Sequence, residues 1–144
     1  MIKLTRALLL TAVLSLTFAT AADAATKGPR LSVSEGTARD AMICNGRYLG
    51  GGMMMCPEAE PDDGLFDVLL IGDVTKRDLA FVLPKTYKGK HLPHPRLELL
   101  RGSVVTIESE EPLPIELDGE QPGTTPVRFE VVPRALRLRV PATG

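Results

Sequence analysis

Apolar and polar residues alternate with a period of two along much of the chain from Ala41 onward, and this pattern predicts β-strands. Glycine and proline turn signals separate the segments, and no helical pattern stands between the last five of them. Regular strands without intervening helices favour an antiparallel β-sandwich or barrel over a parallel α/β sheet. The predicted strand segments are 41–44, 53–55, 66–71, 97–100, 104–107, 113–117, 127–131 and 136–140.

One turn signal predicts a specific pairing. Asn45-Gly46 follows the apolar run 41–44 and precedes Arg47-Tyr48-Leu49. Asn-Gly is the strongest two-residue hairpin signal, so we expect a β-hairpin at this point. The glycine triplet 50–52 lacks the lysine and the strand-to-helix context of a phosphate-binding loop, which favours a structural role.

The segment 75–95 departs from the strand pattern. Thr75 followed by Asp78 predicts a helix N-terminus, and Pro84 should limit or kink that helix. His91 and His94 then lie among prolines, which favours a rigid structural loop over a pair of metal ligands on a helix. The residues expected on one face of the short helix are Leu79, Val82, Leu83 and Thr86.

Composition narrows the class of protein. A chain of 144 residues suits one domain, and thirteen glycines, twelve prolines and the absence of Trp indicate a turn-rich, mainly β body. Seventeen basic residues balance eighteen acidic ones, and no stretch interleaves basic with aromatic residues. We therefore expect no nucleic acid as a partner.

The two cysteines, Cys44 and Cys56, are too few for a disulfide framework and lack the spacing of a zinc site. Buried free thiols are the favoured interpretation. A Cys44–Cys56 disulfide is the alternative if the protein is exported.

The first thirty residues have two interpretations. Lys3 and Arg6 precede the apolar run 7–19, and Ala22-Asp23-Ala24 resembles a cleavage site, which together favour a secretory signal peptide. The same run could be a buried helix that ends at Gly28-Pro29. The run is too short for a convincing membrane span.

Two acidic turns carry the candidate chemistry. In Pro61-Asp62-Asp63-Gly64-Leu65 and in Asp118-Gly119-Glu120, glycine turns the backbone beside carboxylates. Asp63 with nearby backbone carbonyls could bind a hard cation such as magnesium or calcium. Glu120 could act as a general base toward a substrate hydroxyl. For each turn taken alone, a simple hairpin turn is the favoured interpretation.

Taken in order, several motifs resemble the C-terminal domain of bacterial diacylglycerol kinase-like lipid kinases. The resemblance covers about residues 41–141. The motifs are Asn45-Gly46-Arg47-Tyr48-Leu49-Gly50-Gly51-Gly52-Met53, Pro61-Asp62-Asp63-Gly64-Leu65-Phe66-Asp67, Gly89-Lys90-His91 through His94-Pro95, Asp118-Gly119-Glu120, and Pro133-Arg134-Ala135-Leu136.

The resemblance implies a mainly β fold, an antiparallel β-sandwich with one or two helices, beside a nucleotide-binding domain. It implies that Asp63 binds magnesium through its carboxylate, with the backbone carbonyls of Glu60 and Leu65 as further ligands. It makes Glu120 the catalytic base that deprotonates a lipid hydroxyl, and it lets Asp118 shape the turn on the substrate side.

These kinases carry a Gly-Gly-Asp-Gly nucleotide motif in an upstream domain, and this sequence has none. We therefore expect ATP to be bound by a partner nucleotide-binding domain, and no ATP-binding residues in this chain. Residues 31–144 would be the kinase-like domain, and residues 1–30 either a helix of a truncated kinase or a signal peptide.

Two functions follow from the sequence. The first is the substrate-side half of an ATP-dependent lipid kinase, inactive alone, cytoplasmic and peripheral to the inner membrane face, where it meets its lipid. The second is a non-catalytic lipid- or protein-binding module, exported if the N-terminal segment is a signal peptide.

Overall fold

The computed structural model of the chain describes residues 28–34, 38–137 and 139, and in this part it contains ten strands and one helix. In chain order the elements are β1 (Arg30–Ser34), β2 (Asp40–Cys44), β3 (Tyr48–Leu49), β4 (Met53–Met54), β5 (Phe66–Ile71), α1 (Lys76–Thr86), β6 (Leu97–Gly102), β7 (Val104–Glu108), β8 (Pro114–Leu117), β9 (Glu120–Thr124) and β10 (Val127–Glu130).

Two three-stranded sheets form the body, with strand orders β1-β7-β10 and β2-β5-β6. All strand pairs are antiparallel except β1 with β7, which is parallel. Apolar side chains from both sheets, including Val68, Leu70, Val105 and Ile107, form one buried cluster. The predicted β-sandwich is confirmed, with one parallel pair that the sequence did not indicate.

The central strand β5 is buried on both faces. Val68 and Leu70 belong to the cluster between the sheets, whereas Leu69 belongs to a second cluster on the opposite face. The segment after β4 covers that face with Met55, Cys56 and Ala59. Burial on both sides explains why β5 is a nearly continuous apolar run, since a strand with one wet face alternates strictly.

The helix α1 begins at the predicted cap. The Thr75 hydroxyl accepts from the Asp78 backbone N–H at 3.2 Å, and the Asp78 carboxylate accepts from the Thr75 backbone N–H at 2.9 Å. This reciprocal capping box satisfies two N-terminal donors. The helix continues through Pro84 to Thr86, the only residue of the helix that is buried. Pro84 therefore lies within the last turn of the helix, which ends two residues after it.

The predicted hairpin at Asn45-Gly46 is wrong. Strand β2 pairs with β5, and β3 pairs instead with β4. The turn of that small hairpin is the glycine triplet, where Gly50 and Gly52 adopt positive φ angles of 47° and 91°. Glycine adopts such angles without a Cβ clash, so the triplet can reverse the chain where Asn45-Gly46 leads it onward to β3.

The strand predicted at 136–140 is not found in the three of its residues that the structure describes. Residues 136, 137 and 139 are outside any strand, and Leu138 and Val140 lie outside the described residues. Arg134, with a positive φ of 59°, turns the chain after β10, and Leu136 is 81% exposed. Conversely, β1 and β9 were not predicted: β1 precedes the strand pattern that begins at Ala41, and β9 contains Pro122 and Gly123, which weaken a strand signal.

The histidine loop is structural, as predicted. His91 is buried and its Nε2–H donates to the Met55 carbonyl at 3.0 Å, whereas His94 Nδ1 accepts from the Arg96 backbone N–H at 3.3 Å. Burial lowers the pKa of His91, and its hydrogen bond to the carbonyl partly opposes that shift. The two rings thus have separate partners.

Both cysteines are free thiols, as predicted, with Cys56 buried and Cys44 half-buried. The apolar run 7–19 and the cleavage-like motif lie outside the described residues, so both interpretations of the first thirty residues stay predictions. No helix in the described ranges combines the length and apolarity that a membrane crossing requires.

Candidate functional site

The acidic loop before β5 is held by its own carboxylate and by an arginine of β6. Asp63 Oδ1 accepts from the Leu65 backbone N–H at 2.8 Å, and the Asp63 N–H donates to the Glu60 carbonyl at 3.4 Å. Gly64, with a φ of 78°, provides the turn. Asp63 Oδ2 forms an ion pair with Arg101 Nη2. The three residues predicted to bind a metal therefore share one short loop. The ion pair with Arg101 holds the Asp63 carboxylate in place.

A second carboxylate lies beneath this loop. The Asp67 side chain is 1% exposed, and Arg101 Nε lies 3.3 Å from its Oδ1. Neither carboxylate oxygen has a hydrogen-bond partner. Burial raises the pKa of Asp67; the Arg101 guanidinium opposes the shift, and the Asp63 carboxylate adds to it. Arg101 thus compensates two carboxylates, one at the surface and one buried.

Sequence reasoning missed the roles of Arg101 and Asp67. Asp67 stands in the predicted strand 66–71 and Arg101 directly follows the predicted strand 97–100, but their meeting depends on the register that pairs them across β5 and β6. A one-residue shift would place them on opposite faces of the sheet. The available signal was weak: Asp67 is the one charged residue of β5, but β6 contains Glu98 as well as Arg101.

The second acidic turn is a tight hairpin between β8 and β9. Asp118 and Gly119 occupy its two central positions, with positive φ angles of 49° and 93°. Two successive positive φ angles match the mirror-image turn that Asp-Gly favours in hairpins. Glu120 is exposed as the first residue of β9 and pairs with Leu117. The turn therefore presents the Glu120 carboxylate at the end of a small sheet.

This turn borders a cavity of about 730 Å³. Asp118 and Gly119 contribute to one part of its wall, the loop beginning at Asn45-Gly46 contributes to another, and Phe66 at the start of β5 also lines it. The other lining residues are Ile43, Cys44, Tyr48, Leu49, Gly50, Glu116, Leu117 and Phe129. Most of these are apolar, so the cavity suits a largely apolar ligand with a polar group near the turn.

A second cavity of about 320 Å³ lies between α1 and the sheet β2-β5-β6. Leu79, Val82, Leu83 and Thr86, the predicted apolar face of the helix, all line it. Leu49 lines both cavities. Apolar surface therefore extends from the Asp118-Gly119 turn toward the helix.

The structure places the predicted site residues in two groups. Asp118 lies on the wall of the larger cavity and Glu120 follows it by two residues, whereas Asp63, Glu60 and Leu65 lie in the loop that leads into β5. Phe66 connects this loop to the cavity. The catalytic role of Glu120 and the metal-binding role of the Asp63 loop stay predictions.

The donor set of the Asp63 loop is compatible with magnesium. One carboxylate and two carbonyls are the hard oxygen ligands that this cation prefers, and the Asp67 carboxylate, whose ion-pair partner is Arg101, adds negative charge nearby. Among the described residues, no group of three or more His, Cys, Asp and Glu side chains could hold a metal. Any cation here would depend mainly on backbone oxygens.

Comparison with known proteins agrees with this architecture. Residues 18–140 match the family model described as the YegS C-terminal NAD kinase beta sandwich-like domain. The relatives include proteins named "Probable lipid kinase YegS-like" from Xanthomonas euvesicatoria, 38% identical over 98 residues, and from Pseudomonas aeruginosa strain UCBPP-PA14, 37% identical over 100 residues.

These alignments cover 67% and 69% of this chain but 32% of each relative. A relative of the same name from Shewanella frigidimarina is 35% identical over 103 residues, with 69% of this chain and 32% of the relative covered. The chain thus spans about a third of the length of the curated relatives it matches. It belongs to the family of the YegS C-terminal NAD kinase beta sandwich-like domain.

Proposed function

We propose that this chain provides the lipid-binding part of an ATP-dependent lipid kinase that phosphorylates the hydroxyl group of a diacylglycerol-like lipid. The observation that carries the proposal is the position of the Asp118-Gly119 turn on the wall of a mostly apolar cavity, with Glu120 directly after it. The names of the relatives as probable lipid kinases support the same reaction class.

In this proposal Glu120 acts as the general base. Its carboxylate takes the proton from the lipid hydroxyl as the oxygen attacks the γ-phosphorus of ATP, and ADP leaves. The products are a lipid phosphate and ADP, and the proton passes from Glu120 to solvent. Phosphoryl transfer depends mainly on positioning and charge neutralisation, so this domain would contribute the apolar cavity and a base beside it.

Asp118 supports the substrate side by shaping the turn. Its positive φ angle of 49° sets the direction in which β9 begins, and hence the position of Glu120. The two cavities that meet at Leu49 offer apolar surface for acyl chains. We propose that the hydroxyl group lies near the turn and that the acyl chains extend along this apolar surface.

Magnesium would be bound by the Asp63 carboxylate and by the Glu60 and Leu65 carbonyls. When bound, it would stabilise the loop before β5 and offset the charges of Asp63 and Asp67. Binding should raise the melting temperature of the wild-type chain as magnesium is added, but not that of Asp63→Ala. Equal responses of the two proteins would exclude Asp63 as a ligand.

ATP would be bound by a nucleotide-binding kinase domain, and the complex would work at the cytoplasmic face of a membrane. The test mixes the chain with the N-terminal two-thirds of the Pseudomonas aeruginosa relative, labelled ATP and diacylglycerol micelles. We expect labelled lipid only when both proteins are present and none with Glu120→Gln. Absence of turnover from a mixture in which the two proteins bind each other would contradict the kinase proposal.

The alternative is a non-catalytic module that binds lipid or protein. It would account for micelle binding by the chain without phosphoryl transfer in the reconstituted mixture. Retention of full activity by Glu120→Gln would instead keep the kinase reaction but remove the proposed base. The two outcomes therefore separate the function from the residue assigned to it.

A further inference from the structure

The outward side of α1 combines an exposed aromatic ring with basic side chains. Phe81 is 72% exposed and is not among the residues that line the cavity behind the helix. Arg77 precedes it by four residues and Lys85 follows it by four, and both are exposed. Residues four apart are neighbours on a helix surface, so these three side chains form one row.

Other exposed side chains of this segment are also apolar or basic. Leu79 and Leu83 belong to the face that lines the cavity, yet they are 50% and 44% exposed, and Tyr87 after the helix is 54% exposed. Three further lysines, Lys76, Lys88 and Lys90, are exposed nearby. In the described part of the chain, none of these basic side chains has an ion-pair partner. Large apolar side chains that are exposed together are typical of an interaction surface.

We propose that α1 docks on an anionic lipid bilayer, with Phe81 among the lipids and Arg77 and Lys85 at the depth of the phosphate groups. This inference rests on the proposed function, because a lipid kinase meets its substrate at a bilayer. Long basic side chains can lie along the apolar boundary while their charged ends reach the headgroups. The segment 76–90 would then bring the cavity behind α1 to the membrane surface.

The charges favour a bilayer over a protein partner. The cores of protein interfaces are depleted in lysine, whereas the exposed charges around Phe81 are basic on both sides along the helix. Asp78, the acidic residue of the helix, is engaged by the cap at Thr75. Anionic headgroups attract basic residues near the membrane surface, and an aromatic ring adds apolar burial.

The test measures partition of the full chain into sedimented vesicles, without ATP or turnover. Vesicles of mixed phosphatidylglycerol and phosphatidylcholine are compared with phosphatidylcholine alone. We expect Phe81→Ser to lower the partition coefficient for the anionic vesicles about tenfold, and Arg77→Gln/Lys85→Gln to lower it about thirtyfold. Added salt should weaken wild-type binding.

Matched controls replace equally exposed residues elsewhere. Val132 is 69% exposed, and Arg137 and Arg139 are exposed after β10. Val132→Ser and Arg137→Gln/Arg139→Gln should bind like the wild type. Because the run 7–19 is itself apolar, the test compares each variant with its matched control, and circular dichroism checks that each variant is folded.

Equal partition of all the variants, or equal binding to both kinds of vesicle, would overturn the docking proposal. Self-association that Phe81→Ser abolishes, without vesicle binding, would show that a second copy covers the helix and would also overturn it. Either result leaves the kinase reaction untouched, because phosphoryl transfer to micellar lipid is measured separately.

Discussion

Replacing Arg101 by methionine should destabilise the fold, because the arginine compensates a buried carboxylate. Its Nε lies 3.3 Å from Asp67 Oδ1, and its Nη2 contacts Asp63. The Asp67 side chain is 1% exposed, whereas that of Arg101 is 40% exposed. Methionine keeps the aliphatic length of the side chain and removes the charge. The buried carboxylate would then lose its counter-ion.

The cost follows from the burial of the two partners. Removing one partner of a fully buried ion pair costs about 3–5 kcal/mol, and breaking an exposed pair costs about 0–1 kcal/mol. Solvent reaches Arg101 and Asp67 can take up a proton, so we expect a loss of about 2–3 kcal/mol from the free energy of unfolding. The change should appear in urea unfolding at neutral pH as a lower midpoint with an unchanged slope.

The effect should depend on pH in a defined direction. Burial raises the pKa of Asp67 above its ordinary value of 3.8, so the folded state holds a proton that the unfolded state has released. Stability therefore falls as the pH rises from 3.8 through the folded pKa. Loss of the guanidinium raises that pKa further, so Arg101→Met should cost more at pH 8 than at pH 5.

Two variants complete the test. Asp67→Asn in the Arg101→Met background should recover much of the lost stability, because it removes the uncompensated charge. Arg128→Met removes an exposed pair with Glu130 at 2.8 Å and should cost less than about 1 kcal/mol. If Arg101→Met costs no more than Arg128→Met, or Asp67→Asn recovers nothing, the compensation we describe is refuted.

Three further predictions concern stability and reactivity. Burial lowers the pKa of His91, so the free energy of unfolding should fall as the pH drops below 6.5, where the unfolded ring takes up a proton; His91→Gln should reduce this dependence in urea titrations. The hydrogen bond from Cys56 lowers the pKa of Cys44, whereas the hydrogen bond with Cys44 and burial raise the pKa of Cys56. Iodoacetamide should therefore modify Cys44 first, because the thiolate is the reactive form. Faster modification of Cys56 would contradict this. Leu69→Ala, at a fully buried position, should cost about 2–5 kcal/mol in urea unfolding, whereas Leu136→Ala, at an exposed one, should cost less than about 0.5 kcal/mol.

Local signals in the sequence predicted much of the fold. The Thr75-to-Asp78 spacing predicted the helix start, because a capping box depends only on residues within one turn. Period-two alternation located β6, β7, β8 and β10, and it is clearest in β10, where half-buried Val127 and Phe129 alternate with exposed Arg128 and Glu130. Asp118-Gly119 was identified as a turn for the same local reason.

Pairing partners could not be predicted in the same way. Asn45-Gly46 is a strong turn signal, yet β2 pairs with β5 because Ala41 and Ile43 pack with Val68 and Leu70 between the two sheets. Such packing depends on residues distant in sequence, which outweigh local turn preference. The parallel pairing of β1 with β7 has the same origin.

The acidic residues of the candidate site were predicted from the sequence, but the arginine that pairs with Asp63 was not. Asp63 and Asp118 stand in recognisable turns, whereas Arg101 gains its role only through the register of β5 and β6. The cavity beside Asp118 likewise arises from segments far apart in sequence, including the loop at Asn45 and Phe66 at the start of β5. No spacing within one segment could indicate it.

The most direct test of the account joins this chain to the N-terminal two-thirds of the Pseudomonas aeruginosa relative, in place of the segment it matches. Transfer of labelled phosphate from ATP to diacylglycerol is then measured for the wild-type fusion and for Glu120→Gln. The account predicts labelled lipid phosphate from the wild type and none above background from the variant. A folded fusion without activity, or equal activity in both proteins, would contradict it.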